Sequence, residues 1–504
     1  MTLGLDTVIF MDESSESVIE ESPGIQWVKT FGTEPSDDEA YNVKLTKDGG
    51  FIISGMTRSY GPDHYEAGWL IKTDSNGSEE WNQTYGEPGA FKTDYSYSVQ
   101  QTSDGGYVFT GSTRSYNVND DMEVWLVKTD ANGTEEFNKV YGGDRGYSVQ
   151  QTMDGGYIVC GDTRTAQALL LKTDDNGNES WRRTYWGHAK NAIGNSVNET
   201  ADGGFVFTGE VDIKGEDSDT NVFLIKTDSN GTEEINVTFG MADWFEVGYS
   251  VHNTNDGGYI IAGFANNPDD WLKAWLIKTD ENGIEVWNKT FGEKNYKYFG
   301  EDVLQCDDGG YILAGYYIYN FNEYSSWLIK TDSYGNKIWQ VTIPYTEQSN
   351  KKMHSVDKTV DGGYILAGKI APFGIGDALL VKIAPSDAPY NPDIDGPSRG
   401  IPDEEYNYTF VTSDPNDEQV YYWIDWDDGS NTGWLGPFDP DVEITRSHIW
   451  DTRGVYTIQA KAKNINGFES GFGELEVNIP RTRASSYWLF ERFPLLERLL
   501  SLLC

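Results

Sequence analysis

Three arginines stand at matching places in a repeating chain, each directly after a threonine: Thr57-Arg58, Thr113-Arg114 and Thr163-Arg164. Guanidinium groups placed this way could hold a carboxylate or phosphate bidentately, or neutralise neighbouring Asp and Glu. The other residues with binding chemistry are mostly aromatic. Trp186, His188, Trp244, Phe245, Trp271, Tyr296 and Tyr319 occupy connections that differ from one repeat to the next. Rings beside carboxylates suit the apolar face and hydroxyls of a sugar, or a protein hot spot, and the same rings could instead pack neighbouring elements together. Catalytic signatures are missing from the sequence: there is no Gly-x-Ser-x-Gly, His-Glu-x-x-His or phosphate loop, and the five histidines are scattered. Carboxylates are so numerous that a glycosidase-like pair would arise by chance.

The elements that must position these residues repeat. Asp-Gly-Gly-aromatic returns seven times, with its Asp at Asp48, Asp104, Asp154, Asp202, Asp256, Asp308 and Asp361. Five residues before each Asp stands a valine, from Val43 to Val356, inside the polar-apolar alternation of a half-buried strand. Asp-Gly-Gly makes a tight turn, and a second strand follows, such as Tyr107-Val108-Phe109-Thr110. A third strand, such as Trp125-Leu126-Val127-Lys128, leads through an Asp-x-Asn-Gly hairpin into a fourth. Four antiparallel strands at a period of roughly 50 residues predict a β-propeller.

The blade count follows from the ends. The chain opens on an orphan fourth strand, Trp27 to Gly32, and the seventh unit stops without one. A seven-bladed ring closed by the N-terminal strand is therefore predicted over 23–385, with residues 25–32 completing the last blade. The turns between first and second and between third and fourth strands share one monotonous face. The arginines and aromatics named above fall on the other, variable face, where function usually sits.

An Asp74-Ser75-Asn76-Gly77 turn resembles the start of a calcium loop, but lacks the further oxygen ligands and the bidentate acid. No cofactor is expected, and calcium is the one ion these turns could recruit. The Asp74 to Trp81 hairpin also resembles the tryptophan docking motif of quinoprotein dehydrogenase propellers, without the residues that hold a quinone. As a whole the repeat resembles secreted propeller repeats of archaeal and bacterial surface proteins.

Acidic residues number 81 against 38 basic ones, a net charge of -43 that excludes a nucleic-acid partner. Nine Asn-x-Ser/Thr sequons occur, of which Asn82, Asn178, Asn198, Asn236, Asn288 and Asn407 are candidate glycosylation sites. Others, such as Asn132, sit in turns that want Asn for geometry alone. Residues 1–22 read as a disordered acidic leader with no signal peptide visible in this chain. The three cysteines form no disulfide framework.

After the Pro-rich linker at 385–389 the period ends. Tyr408-Thr409-Phe410, Asp414-Pro415-Asn416-Asp417, Tyr422 to Gly429, His448-Ile449-Trp450 and Gly454-Val455-Tyr456 follow in the order of a PKD domain, which 386–480 resembles. That resemblance implies an immunoglobulin-like β-sandwich acting as a spacer or in adhesion. In the tail, 481–504, Leu489, Phe493, Leu496, Leu500 and Leu503 follow helical spacing, so 487–504 is predicted to be a short amphipathic helix that could attach the protein to an envelope or membrane interface.

These features predict an all-β, extracellular or cell-surface protein that binds a glycan or protein partner without catalysis through the variable aromatic face. A carbohydrate hydrolase or lyase working at that face, and a structural surface-layer component, are the competing expectations.

Overall fold

A computed structural model describes residues 23–480, apart from short stretches at 34–35, 62–64, 88–91, 117–120, 187–190, 213–219, 241–243, 268–270, 321–322, 344–349, 372–375, 386–387, 415–417 and 466. The expectations for the leader, for the tail helix and for His188 therefore lie outside the described residues.

Every described element is a β-strand, and seven four-stranded antiparallel sheets follow one another along the chain. The second sheet is representative: Asp94–Gln101, Tyr107–Thr113, Glu123–Thr129 and Glu135–Tyr141 pair in sequence order. In the seventh sheet the fourth place is taken by Ile25–Phe31, from the start of the chain, which pairs with Asp377–Ile383. Within each sheet burial follows the apolar pattern. The two middle strands, such as Phe51–Thr57 and Ala67–Thr73, are buried throughout, whereas fourth strands such as Glu79–Tyr85 are largely open to solvent.

The cores lie between sheets. Ile52 and Leu70 of the first sheet pack with Val99, Phe109, Trp125 and Val127 of the second, and the first sheet's Val43 and Trp69 pack with Ile365 and Leu380 of the seventh. Contacts thus pass from each sheet to the next and return from the last to the first.

One ion pair recurs in every unit. The lysine one residue before the end of each third strand is buried, less completely at Lys226, and meets the Asp of the same unit's Asp-Gly-Gly turn, from Lys72 with Asp48 at 2.9 Å to Lys382 with Asp361 at 2.8 Å. The aspartate also accepts from its own turn, as Asp104 does from Thr102 Oγ1 and the Gly106 amide. Burial opposes ionisation there, but these hydrogen bonds and the lysine prevail and hold Asp48, Asp104, Asp154, Asp202 and Asp256 at a pKa of about 2.

Residues after the linker form two further sheets. Asp393–Asp395, Glu405–Val411 and Ile444–Ile449 make one, and Leu435–Phe438, Val420–Asp425, Gly454–Asn464 and Gly473–Ile479 the other. Tyr408, Phe410, Tyr422, Trp426, Trp450 and Ile458 fill the space shared by the two. The Trp-Asp-Asp-Gly segment is core and turn: Trp426 is buried and stacked on His448, whose Nε2 lies 2.7 Å from Asp428. Cys160 and Cys306 are buried free thiols.

Candidate functional site

Each first strand carries a β-bulge two residues before its core valine. In the second sheet Ser98 pairs with Thr110 and Ser96 with Gly111, so Tyr97 has no partner across the ladder. The same skip leaves Tyr41, Tyr147, Asn195, Tyr249, Glu301 and His354 unpaired in the other six sheets. A bulge re-aims the side chain of its extra residue. All seven of these side chains line one cavity of about 450 Å³, whose entire lining comes from the seven first strands.

The glycine opposite makes the bulge fit. A Cβ on Gly55, Gly111, Gly161, Gly209, Gly263, Gly315 or Gly368 would lie 2.0 Å or less from a first-strand carbonyl oxygen, at Arg145 in the case of Gly161. These glycines recur at one position in all seven second strands. An isolated glycine in a strand is a bulge signal, and it was available in the sequence to mark the residues that face the cavity.

Polar side chains beside the bulge join the sheets. The inner edge of each first strand would expose backbone N–H groups. The residue before the core valine caps its neighbour: Asn42 Oδ1 accepts from Val99 N, Ser98 Oγ from Val149 N, Ser148 Oγ from Val197 N and Ser196 Oγ from Val251 N. Asp302 accepts from Val356 N, and Ser355 Oγ accepts from Val43 N, returning the series to the first sheet. At the fifth sheet the pattern changes, because Ser250 Oγ donates instead to Asp302 Oδ1 at 2.7 Å. One residue beyond the valine, Gln100 and Gln150 accept from the amides of Gln151 and Glu199 in the same manner.

The ring of bulge residues is closely packed. Tyr97 lies 5.3 Å from Tyr41 and 5.4 Å from Tyr147, centroid to centroid, and burial pushes the Tyr41, Tyr97, Tyr147 and Tyr249 phenols upward. His354 lies between two carboxylates, with Nε2 2.9 Å from Glu39 and Nδ1 3.4 Å from Glu301. Burial and Lys352 favour its neutral form, but the carboxylates prevail and raise its pKa. Burial likewise works against ionised Glu39, yet His354 and Lys369 hold it at about 2. Beyond Tyr249, Glu210 is pushed up to about 7 by burial alone. Among the described residues no group of three or more His, Cys, Asp or Glu side chains is arranged to hold a metal.

The arginines and aromatics singled out by the sequence do not line this cavity, and several of them are in local use. Arg58 pairs with Glu66, and Arg164 with Asp121 and Glu123. The Thr-Arg-Ser segments around Arg58 and Arg114 have a folding role: in the first sheet Thr57 Oγ1 and the Arg58 and Ser59 amides all donate to Asp38, and Asp94 receives the same bonds around Arg114. Arg114 Nε is buried without a hydrogen bond. Trp186 packs on Phe223, Phe245 on Phe264, and Tyr296 on Tyr317 and Tyr319. Trp244 is half-buried. Trp271 stands out, 55% exposed at a φ of 67° with Lys297 over its ring.

The sequons divide by environment. Asn82 and Asn288 accept from the indole N–H of Trp69 and Trp275 in the adjoining third strand. Asn178 and Asn236 bond to Asp174 and Glu233, Asn407 is exposed on the sandwich, and Asn198 lines the cavity with its amide on the Val251 carbonyl. In the Asp-x-Asn-Gly turns the carboxylate is taken by the turn itself, as Asp130 accepts from the Asn132 and Thr134 amides.

No protein-family model matches this chain, and no curated protein matches it. Among solved structures it is similar to the PKD domain of an M14-like peptidase from Thermoplasmatales archaeon SCGC AB-540-F20, at 45% identity. That likeness covers 19% of this chain and 98% of the other, with a TM-score of 0.19. No helix among the described residues is long and apolar enough to cross a membrane.

Proposed function

We propose that the seven sheets are the blades of a seven-bladed β-propeller closed by Ile25–Phe31, and that the protein is a secreted or cell-surface binding protein with no catalytic activity. The PKD-like sandwich serves as its spacer, and the site lies in the cavity on the propeller axis. One observation carries this reading: in a scaffold repeated almost residue for residue, the bulge positions aimed into the cavity are Tyr, Tyr, Tyr, Asn, Tyr, Glu and His, while the valine two residues on never changes. Repetition preserves the frame, and asymmetry is confined to the side chains a ligand would meet. A cavity of this size falls within the range of about 300–1,000 Å³ for small-molecule sites.

A second reading is favoured by Trp271, an exposed indole held at positive φ at the start of the strand Trp271–Thr279. In it the partner is a glycan or protein docked on the variable face. A glycan array probed with the full chain, with and without calcium, separates the two. Binding lost on replacing the cavity-lining Lys44 by Met and kept in Trp271→Ala supports the cavity, and the reverse supports the variable face. Cleavage of any bound sugar overturns the non-catalytic reading and directs attention to Glu39, Glu301 and His354.

A further inference from the structure

The cavity is lined by groups that donate hydrogen bonds and by one cation with nothing to pair with. Gln100 and Gln150 each give the side-chain oxygen to a backbone N–H of the next sheet, at 2.6 Å in both cases. A backbone N–H only donates, so the amide oxygen is fixed toward the sheet and the NH2 group is left for the cavity. Lys44 occupies the same position in the first sheet as these glutamines do in the second and third, and His252 the same position in the fifth. The Lys44 side chain, on a residue paired with Ile52 in its ladder, makes no hydrogen bond or ion pair among the described residues. The cavity's two carboxylates are already compensated: Glu301 faces His354, and Asp302 accepts from Ser250, Ser355 and the amides of Val303 and Val356. Asp357, at the position of Lys44 in the adjoining seventh sheet, accepts from the Leu45 and Lys358 amides and does not line the cavity, so among the lining residues Lys44 is the charged side chain left without a bonded partner.

Resting on the cavity reading above, we propose that the ligand is a small hydroxylated carboxylate, a sugar acid, with its carboxylate against Lys44 and the free amide donors of Gln100 and Gln150. Its ring lies against the phenols of Tyr97 and Tyr147, which offer apolar faces for C–H groups and hydroxyls for hydrogen bonds. A neutral sugar of the same shape leaves the ammonium unpaired, and a bare anion leaves the aromatic wall uncovered. Charge-assisted hydrogen bonds from three donors are what separate the acid from its neutral counterpart.

The test is isothermal titration of the full chain with D-glucuronate, D-glucose and inorganic sulfate, on the wild type and on Lys44→Met and Gln150→Glu. The second variant keeps an oxygen for the Glu199 amide while replacing the cavity donor with a negative acceptor, so it preserves the link between sheets. Glucuronate is expected to bind at least tenfold more tightly than glucose or sulfate, with that preference lost in both variants and their thermal unfolding unchanged. Glucose binding as tightly as glucuronate, untouched by Lys44→Met, overturns the acid and leaves the cavity reading standing. Sulfate matching glucuronate overturns the sugar ring. Silence toward all three, with an array ligand that depends on Trp271, overturns the acid and the cavity together.

Discussion

The ammonium of Lys128 lies 3.0 Å from the carboxylate of Asp104, joining the end of a third strand to the turn that begins the second. Lys128 is almost wholly buried while Asp104 is more than half exposed, and Lys128 also donates to the Thr129 carbonyl and to Glu136. Each of the seven units has this clasp, so the turn that opens a hairpin is tied to the strand two places on.

Removing one side of the clasp should cost more than removing the charge itself. Asp104→Ala leaves a buried ammonium short of a partner and orphans the Gly106 amide; about 1–2 kcal/mol is expected after discounting for the exposure of Asp104. Lys128→Met, which keeps the apolar stem, should cost less in the same urea titration. Acid shows the sum over units. Asp104 is depressed to about 2 from an ordinary 3.8, so its contribution is complete above about pH 4 and is lost as pH falls toward 2. The melting temperature should drop steeply across that window, and less steeply in Asp104→Asn.

Gly161→Ala should be among the most damaging single changes. Its Cβ would stand 1.9 Å from the Arg145 carbonyl oxygen, so the bulge that aims Tyr147 must open. A loss above about 3 kcal/mol is expected, from overpacking against backbone that cannot yield. Gly155, in the turn at φ 88°, has open space around it. Gly155→Ala should cost only about 1 kcal/mol, for the left-handed backbone. Equal losses in the two melting curves would contradict the role given to the bulge.

Ser148→Ala should loosen one joint between neighbouring sheets. It strips the acceptor from the Val197 amide on the inner edge of the next sheet. A cost of about 1 kcal/mol is expected, read as a roughly fivefold faster amide exchange at Val197. Ser148→Asn should restore protection, since Asn42 performs the same service for Val99.

Glu210→Gln should stabilise the protein in a pH-dependent way. With Glu210 at about 7 in the fold against an ordinary 4.5, the unfolded chain releases this proton first. Folding is therefore penalised progressively between about pH 4.5 and 7, and by a constant amount above. The variant should match the wild type at pH 4 and exceed it by about 2–3 kcal/mol at pH 8. A gain of the same size at pH 4 would assign the effect to packing rather than to charge.

The local order of this molecule was legible in the chain because each of its signals is short-range. Val, Asp-Gly-Gly and Asn-Gly at a near-constant period specify strands and hairpins within a few residues, and they yielded seven units of four strands with an orphan strand to complete the last. The sandwich residues Trp426 and Trp450 were also visible, as parts of an alternating pattern that needs one buried face. The cavity was not, although its glycines were in view. Tyr41 and His354 are 313 residues apart and meet only because the seventh sheet lies against the first, with ring centroids 6.0 Å apart. Composition also cannot tell a connection ring that packs, as Trp186 does on Phe223, from one left open such as Trp271. Which first-strand residues line the cavity was decided by strand pairing. One unpaired residue per first strand turns a side chain out of the ladder, and the bulge that frees it exists only when two strands and a glycine come together in space.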